Sequence, residues 1–220
     1  MLRTSVVVAG VMGAMAASAE AGVTTGAYAY FTGAAGDSDY DLGASPATYS
    51  ASVSNGSPAA SASATLVWGA SSYSFSGSTS GDTGSTIFAY SNGIATFTFA
   101  VAMNVTMAWN LANVAGSSPN ALAGWTIDNV TSGTTVYGIQ FTSNASTPSS
   151  IAGGITASSS ASGETGQLAA GTYSVATAIQ LDVPTTGSFS VTISFTPVPA
   201  PGALPLVAVP TLVARRRRRR

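Results

Sequence analysis

In the stretch Phe189-Ser190-Val191-Thr192-Ile193-Ser194-Phe195, apolar and hydroxyl-bearing side chains alternate without interruption. Such alternation is typical of a β-strand with one buried face and one solvated face. A second apolar segment covers residues 179–183, and Pro184-Thr185-Thr186-Gly187 between the two segments contains turn-forming residues. We therefore predict that residues 179–183 and 189–195 form a β-hairpin.

Alternating segments also occur at residues 28–32, 72–76, 86–90, 125–127 and 136–141. Ser91-Asn92-Gly93 is predicted to be a turn because Asn and Gly tolerate positive φ, and residues 94–107 are predicted to be one long strand. Residues 50–65 and 143–166 are rich in Ser, Ala and Gly, which predicts loops or poorly packed edges. Repeated short strands without a convincing helix predict an all-β domain, a β-sandwich or jelly roll, over residues 20–196.

The basic residues are Arg3 near the start and the run Arg215, Arg216, Arg217, Arg218, Arg219 and Arg220. Between residues 4 and 214 there is no Lys, Arg or His, and the chain has no Cys. This composition excludes catalysis by histidine, a thiolate, a Schiff-base lysine or a Ser/His/Asp triad. Nucleic acid is also disfavoured as a partner, since phosphate binding relies on Lys and Arg.

Catalysis by carboxylates alone is the enzymatic alternative, as in glycoside hydrolysis by a pair of Asp or Glu side chains. The candidates are Asp82, Asp128, Glu164 and Asp182. Nothing in their spacing pairs two of them, so capping of turns and solvation of the surface compete with this interpretation. We predict that the protein is not an enzyme and keep a carboxylate-pair glycosidase as an alternative.

The first residues have the three parts of a secretory signal peptide. Met1-Leu2-Arg3 carries a positive charge, residues 6–16 are apolar, and Ala17-Ser18-Ala19 places small residues at both positions of a cleavage site, Ala17 and Ala19. A signal peptide over residues 1–19 predicts an exported protein whose mature chain begins at Glu20, or at Gly22 if cleavage follows Ala21.

The last residues combine a Pro-rich hinge, an apolar segment and the Arg run. Proline is unfavourable in helix interiors and central strands, so residues 196–202 are predicted to separate the body from the tail. As a helix, residues 202–214 would span about 20 Å, whereas a hydrocarbon core is about 30 Å thick. We therefore predict transient membrane insertion, with the arginines on the cytoplasmic side. The apolar side chains are Leu204, Leu206, Val207, Val209, Leu212 and Val213.

A Pro-x-Pro motif, a short apolar segment and an Arg cluster on an exported chain resemble the PEP-CTERM sorting signal of bacterial surface proteins. The motif is Pro199-Ala200-Pro201, with Ala200 in place of the Glu of Pro-Glu-Pro, and Pro205 and Pro210 interrupt the apolar run. The resemblance covers residues 197–220. It implies recognition and cleavage near the motif by an exosortase-type membrane protease, in a bacterium that makes exopolysaccharide.

Asp37, Asp39 and Asp41 are the only carboxylates with the spacing of metal ligands. Their i, i+2, i+4 arrangement resembles the opening of a Ca²⁺ loop, but an EF-hand would need Gly and Glu where Leu42 and Thr48 stand. Two interpretations remain open, a calcium site outside the EF-hand class and a solvated acidic turn. No cofactor other than this calcium ion is predicted.

Trp68, Trp109 and Trp125, together with eight tyrosines, could form an aromatic face that stacks on sugars. In a sandwich, aromatic side chains at alternating positions more often belong to the core. A carbohydrate-binding module that retains exopolysaccharide is therefore an alternative function. The main prediction is a structural or adhesive protein of the cell surface or extracellular matrix, associated with the membrane before processing.

Overall fold

The structure, a computed structural model, describes residues 23–31, 34–56, 59–81, 87–112, 122–142, 149–182 and 186–199. Within these ranges the chain is all-β and contains no helix. The strands form two antiparallel sheets that pack as a β-sandwich, which confirms the predicted fold class. The predicted signal peptide and almost all of the predicted sorting signal lie outside the described residues.

The strands have bounds that follow in chain order. They are β1 (Val23–Phe31), β2 (Ala34–Gly43), β3 (Thr48–Gly56), β4 (Ala59–Gly69), β5 (Ser72–Gly81), β6 (Ile87–Phe99), β7 (Met103–Ala112), β8 (Leu122–Asn129), β9 (Thr134–Thr142), β10 (Ser149–Ala152), β11 (Ser160–Leu168), β12 (Gly171–Asp182) and β13 (Gly187–Pro197).

The larger sheet has seven strands in the order β10-β9-β8-β12-β6-β1-β2. The smaller sheet has six, in the order β11-β7-β13-β5-β4-β3. The chain changes sheet between β2 and β3, at each step from β5 to β8, and at each step from β10 to β13. The edge strands β2 and β3 lie next to each other, and β1 packs against β3 and β4. One open side of the sandwich is therefore bounded by β2 and β3.

The core lies between the inward faces of the two sheets. Along β13, residues 189–195 alternate between buried and exposed positions, as the sequence predicts. Phe195 packs against Phe97 and Phe99 of the opposite sheet, with ring centroids 4.8 and 4.9 Å apart. Burying each large apolar side chain stabilises the fold by about 1.5–3 kcal/mol, so contacts between the sheets are the main source of stability.

The predicted turn at Ser91-Asn92-Gly93 is wrong, because β6 runs straight through these residues. β6 is a central strand that pairs with β1 on one side and β12 on the other. Gly93 serves packing, not a turn: a Cβ there would lie 2.6 Å from Cδ2 of Phe75. The predicted long strand over residues 94–107 is in fact broken after Phe99, where the chain crosses to β7 in the other sheet.

The predicted hairpin near residue 185 is also wrong. β12 lies between β8 and β6 in the larger sheet, whereas β13 lies between β7 and β5 in the smaller sheet. Both strands have an apolar inward face, and two such strands can either pair side by side or face each other across a core. The alternation predicts each strand correctly but does not distinguish between these two arrangements.

The Ser- and Ala-rich region 50–65 forms most of β3 and β4, and residues 160–168 form β11. Ala51, Ala62 and Ala64 are buried, while the serines between them lie on the opposite face. The predicted loops are therefore strands whose inward side chains are small. β3 and β11 are edge strands, which agrees with the prediction that these regions lie at edges.

Pro197 is the last residue of β13, a central strand that should exclude proline. Phe195 donates its backbone N–H to Ser71 on the β5 side, and Val198 donates to Ala102 on the β7 side. Because successive residues of a strand face alternate neighbours, the nitrogen of Pro197 faces the β5 side, one step beyond the last pairing. The missing N–H of Pro197 therefore removes no hydrogen bond of the sheet. The Pro-rich hinge begins where β13 ends.

Candidate functional site

The acidic residues of β2 lie along one edge of the larger sheet. Asp37, Asp39 and Asp41 pair with Ala29, Ala27 and Thr25 of β1, respectively. Because residues two apart share a face, the register places all three on the same side of β2. This side faces β3, the edge strand of the smaller sheet.

Two of these carboxylates accept hydrogen bonds from the backbone of β3. Oδ2 of Asp39 accepts the N–H of Ser52 at 2.8 Å, and Oδ2 of Asp41 accepts the N–H of Ser50 at 2.9 Å. Oδ1 of Asp39 also accepts the N–H of Tyr40 at 2.9 Å. The two aspartates therefore connect the sheets along one open side and satisfy amides that an edge strand would otherwise present to another chain.

The calcium site stays a prediction. Asp39 and Asp41 share one side of the strand, but the side chain of Asp37 lies outside the described part of the structure. Among the described residues, no group of three or more His, Cys, Asp or Glu side chains could hold a metal ion. The geometry gives Asp39 and Asp41 a structural role, the binding of backbone amides of β3. Neither a calcium site nor a solvated acidic turn includes this role.

Tyr137 connects the sheets on the opposite side of the sandwich. Its hydroxyl accepts the N–H of Gln167 at 2.9 Å and donates to the carbonyl of the same residue at 3.1 Å. Tyr137 belongs to β9 of the larger sheet, and Gln167 to the edge strand β11 of the smaller sheet. The ring lies where a Cβ would stand on Gly153 or on Gly166, so both glycines leave room for it.

Tyr73 connects the sheets through the core. Its side chain is fully buried on β5, and its hydroxyl lies 2.9 Å from the carbonyl oxygen of Gly93 and also contacts the hydroxyl of Thr177. Thr177 lies 3.2 Å from the same carbonyl. The hydroxyl groups of Tyr73 and Thr177 and the carbonyl oxygen of Gly93 therefore form one hydrogen-bonded group, to which the two hydroxyls supply the protons. Burial raises the pKa of Tyr73, and its hydrogen bond with Thr177 opposes this only in part.

The tryptophans do not form a sugar-stacking face. Trp125 is fully buried and Trp109 is 3% exposed, with their rings 5.5 Å apart in the core. Trp109 donates its Nε1–H to the carbonyl of Ser158 at 2.9 Å. Trp68 is partly buried and packs edge-on against Phe97. The core interpretation of these residues is therefore the correct one.

The carboxylates proposed for glycoside hydrolysis are not brought together as a described pair. Asp128 accepts hydrogen bonds from the hydroxyls of Thr126 and Thr135, at 2.8 and 2.6 Å. Glu164 lies on the edge strand β11. Asp82 and the side chain of Asp182 lie outside the described residues. The glycosidase alternative stays a prediction that no observed contact favours.

The outer face of the smaller sheet is a regular array of exposed hydroxyl groups. Cross-strand pairs connect some of them, with Ser63 and Ser78 2.7 Å apart and Ser61 and Ser80 also 2.7 Å apart. The register gives two complete ranks across four strands, Ser52, Ser63, Ser78 and Ser188, and then Ser50, Thr65, Ser76 and Ser190. Alternation predicts outward hydroxyls on each strand, but the array depends on the register between strands.

The outer face of the larger sheet differs at its β2 end, where a described aromatic ring is exposed. Tyr40 is 51% exposed there, beside Leu42 at 66%. The backbone register pairs Tyr28 with Tyr90 and Tyr30 with Phe88, and the side chains of these four residues lie outside the described part of the structure. The Tyr-x-Tyr alternation of residues 28–30 indicates a strand, but only the register shows which residues of β6 pair with it.

Of the predicted sorting motif, Pro199 is the last described residue, two positions after the end of β13. Ala200, Pro201, the apolar segment with the arginines, and the cleavage residues Ala17 and Ala19 lie outside the described ranges. Within the described part of the chain, no helix has the length and apolar character needed to cross a membrane.

No family model matches this chain, and no curated protein matches it either. The functional assignment therefore depends on the residues and the geometry described above.

Proposed function

We propose that this protein is an exported component of the cell surface or extracellular matrix, with a structural or adhesive role. The observation that carries the proposal is the hydroxyl array on the outer face of the smaller sheet, which no charged residue interrupts in its two complete ranks. Hydroxyl groups exchange hydrogen bonds readily with water and with hydroxyl-rich polymers.

The use of the carboxylates supports the same proposal. Asp39, Asp41 and Asp128 each accept hydrogen bonds that hold strands or turns in place. These carboxylates serve the architecture of the sandwich, which is what a structural component requires. Surface location is supported separately, by the signal peptide that residues 1–19 resemble and by the sorting signal that residues 197–220 resemble.

Sorting by an exosortase-type protease is the second part of the proposal. Because β13 ends at Pro197, a cut near Pro199-Ala200-Pro201 would leave all the described strands of the sandwich intact. The released body would contain no Lys, Arg or His, since all basic residues except Arg3 lie at 215–220. The proposed partners are the protease and, outside the cell, exopolysaccharide.

Intact mass spectrometry of the native surface protein tests this proposal. We expect a mass that lacks both the signal peptide and the Arg run. Replacing Pro199 and Pro201 by Ala should preserve the tail in the measured mass, whereas Pro210→Ala, outside the motif, should be processed normally. A surface protein that still carries Arg215–Arg220 would refute cleavage, and an intracellular protein would refute export.

Carbohydrate binding is the second candidate function. It is favoured by the ring of Tyr40, which is half-exposed on the outer face of the larger sheet. An adhesive protein needs at least one surface with affinity for a matrix component, so the two candidate functions are compatible.

A further inference from the structure

We infer that one end of the sandwich is a docking surface for the lipid bilayer and lies against the membrane until the tail is cleaved. This tail end, as we call it, consists of the turns at residues 44–47, 70–71, 100–102, 130–133 and 169–170, around the point where the chain leaves β13. The inference rests on the proposed membrane insertion of the tail, and it identifies the part of the body that contacts lipid.

The strand register places these turns at one end of the sandwich. Pro197, the last residue of β13, pairs with Met103, the first residue of β7, and Leu168 at the end of β11 pairs with the same residue. In the larger sheet, Phe99 at the end of β6 pairs with Gly171 at the start of β12. The turns between β2 and β3, between β4 and β5 and between β8 and β9 lie at the same end, as the pairing of their strands shows.

Hydrogen bonds connect the start of the tail to this end. Val198 donates its N–H to the carbonyl of Ala102 at 2.9 Å, and Phe195 donates to the carbonyl of Ser71 at 2.9 Å. Both acceptors belong to turns of the tail end, so the chain leaves the body between these two turns. From Pro199, four Cα steps lead to Ala203 at the start of the apolar segment, a distance of at most about 14 Å.

This short connection orients the body. Gly187 and Pro197 are the two ends of β13, and at the rise of a β-strand they lie about 33 Å apart. When the apolar segment is in the hydrocarbon core, a connection of about 14 Å keeps the tail end at the headgroup region, which adds only about 5–8 Å to each side of the core. The opposite end of the sandwich is then well outside the bilayer.

The exposed side chains of the tail end suit a lipid surface. Val101 is 52% exposed and Val130 is 38% exposed. Residues 100–102 have the sequence Ala-Val-Ala, residues 169–170 are Ala-Ala, and all five are exposed. Turns are usually rich in Gly, Pro, Asn, Asp and Ser, none of which occurs in these two. Binding to the bilayer interface increases with the apolar area that is buried there, so such turns gain from contact with lipid.

The charge of the tail end is compatible with the same partner. None of the residues in its five turns is charged. The carboxylates nearest to them in sequence, Asp41 and Asp128, are half-buried and accept hydrogen bonds from Ser50, and from Thr126 and Thr135, respectively. An anionic lipid surface repels acidic groups, so uncharged turns allow close approach. The proposal therefore commits to the lipid surface as the occupant of this end.

Fluorescent labels at defined positions test the inference, and the absence of Cys from the chain makes single labelling direct. Residues 20–220, which include every described strand and the tail, would carry Val101→Cys, Ala170→Cys or, at the opposite end, Thr186→Cys, each with an environment-sensitive fluorophore. All three positions are exposed. With phosphatidylcholine vesicles, we expect a shift to shorter wavelength and quenching by nitroxide-labelled lipid for the first two labels, and neither for the third.

Charge substitutions provide a second measurement. On vesicles that contain phosphatidylglycerol, Val101→Asp should weaken binding and Val101→Lys should strengthen it, each about fivefold, the effect of one charge near an anionic surface. The matched controls Thr186→Asp and Thr186→Lys place the same charges on the opposite end and should change binding much less. Equal effects at the two positions would contradict the proposed orientation.

Flotation of the protein with the vesicles reports insertion of the tail separately. Flotation with equal quenching at both ends, or with quenching at neither end, would overturn the inference and leave tail insertion standing. The vesicles contain no other protein, so an end reserved for a protein partner such as the protease would give the second of these results. Absence of flotation would overturn insertion and inference together.

The mass and the location of the native protein, which test the proposed function, are independent of these measurements. A body that does not dock on lipid is therefore distinguishable from a protein that is not exported or not cleaved.

Discussion

Replacing Tyr73 by Phe removes the hydroxyl that joins the two sheets in the core. Tyr73 is fully buried, and its hydroxyl contacts Thr177 and the carbonyl of Gly93. Thr177 lies within hydrogen-bond distance of the same carbonyl, so the carbonyl retains a donor in the variant. At neutral pH we therefore expect Tyr73→Phe to lower the free energy of unfolding by about 1 kcal/mol, the typical net value of one hydrogen bond.

At alkaline pH the effect should reverse direction. Burial raises the pKa of Tyr73 in the folded protein, whereas in the unfolded chain it titrates near pH 10. Above that pH the unfolded state has lost a proton that the folded state keeps, so stability falls with rising pH. The loss is about 1.4 kcal/mol for each pH unit until the folded-state pKa is reached. Tyr73→Phe should lack this loss.

The composition of the chain simplifies the measurement of stability as a function of pH. There is no Cys and no Lys, so tyrosines are the only side chains expected to titrate between about pH 9 and 12. Urea unfolding at intervals from pH 7 to 11.5 would give the slope for the wild type, for Tyr73→Phe and for the exposed-site control Tyr40→Phe. Identical slopes for wild type and Tyr73→Phe above pH 10 would refute the reasoning.

The remaining predictions concern the sheet edges and the proposed cleavage of the signal peptide. Asp41→Ala should lower stability by about 1 kcal/mol, since the N–H of Ser50 then bonds only water; equal urea midpoints would contradict this. If calcium binds, millimolar Ca²⁺ should raise the Tm of the wild type and of Asp128→Ala, but not of Asp39→Ala. An unchanged Tm in all three would leave the carboxylates a structural role alone. Gly166→Ala should cost on the order of 1–3 kcal/mol, because the new methyl group meets the ring of Tyr137, and much less in a Tyr137→Ala background. N-terminal sequencing should give Glu20 or Gly22, and a chain that begins with Met1 would contradict signal cleavage.

Alternation of apolar and hydroxyl-bearing residues was sufficient to predict the fold class. It marked β13 along residues 189–195 and parts of β5, β8 and β9, because each of these strands has one face in the core. The pattern failed where the inward residues are small. In β3 and β4 the inward alanines have little hydrophobic contrast with the outward serines, so residues 50–65 were predicted to be loops.

The arrangement of the strands could not be predicted, because it depends on contacts between distant residues. Asn92-Gly93 has the composition of a turn, yet Gly93 is fixed in a strand because the ring of Phe75 occupies the space of a side chain. β12 and β13 are consecutive in sequence but belong to different sheets. The pairing of Tyr28 with Tyr90 is equally hidden from the sequence, since it exists only through the pairing of β1 with β6.

A chain without internal cations must satisfy its carboxylates with neutral donors, and this constraint connects the sequence to the architecture. Asp39 and Asp41 accept backbone amides of β3, and Asp128 accepts threonine hydroxyls. On the opposite side of the sandwich, the hydroxyl of Tyr137 likewise connects the sheets by a hydrogen bond to an uncharged partner, the backbone N–H of Gln167. Hydrogen bonds to neutral partners depend much less on ionic strength than exposed ion pairs, which salt screens. We therefore expect a sandwich joined in this way to retain the contacts between its sheets across a wide range of salt, which is compatible with the proposed location outside the cell.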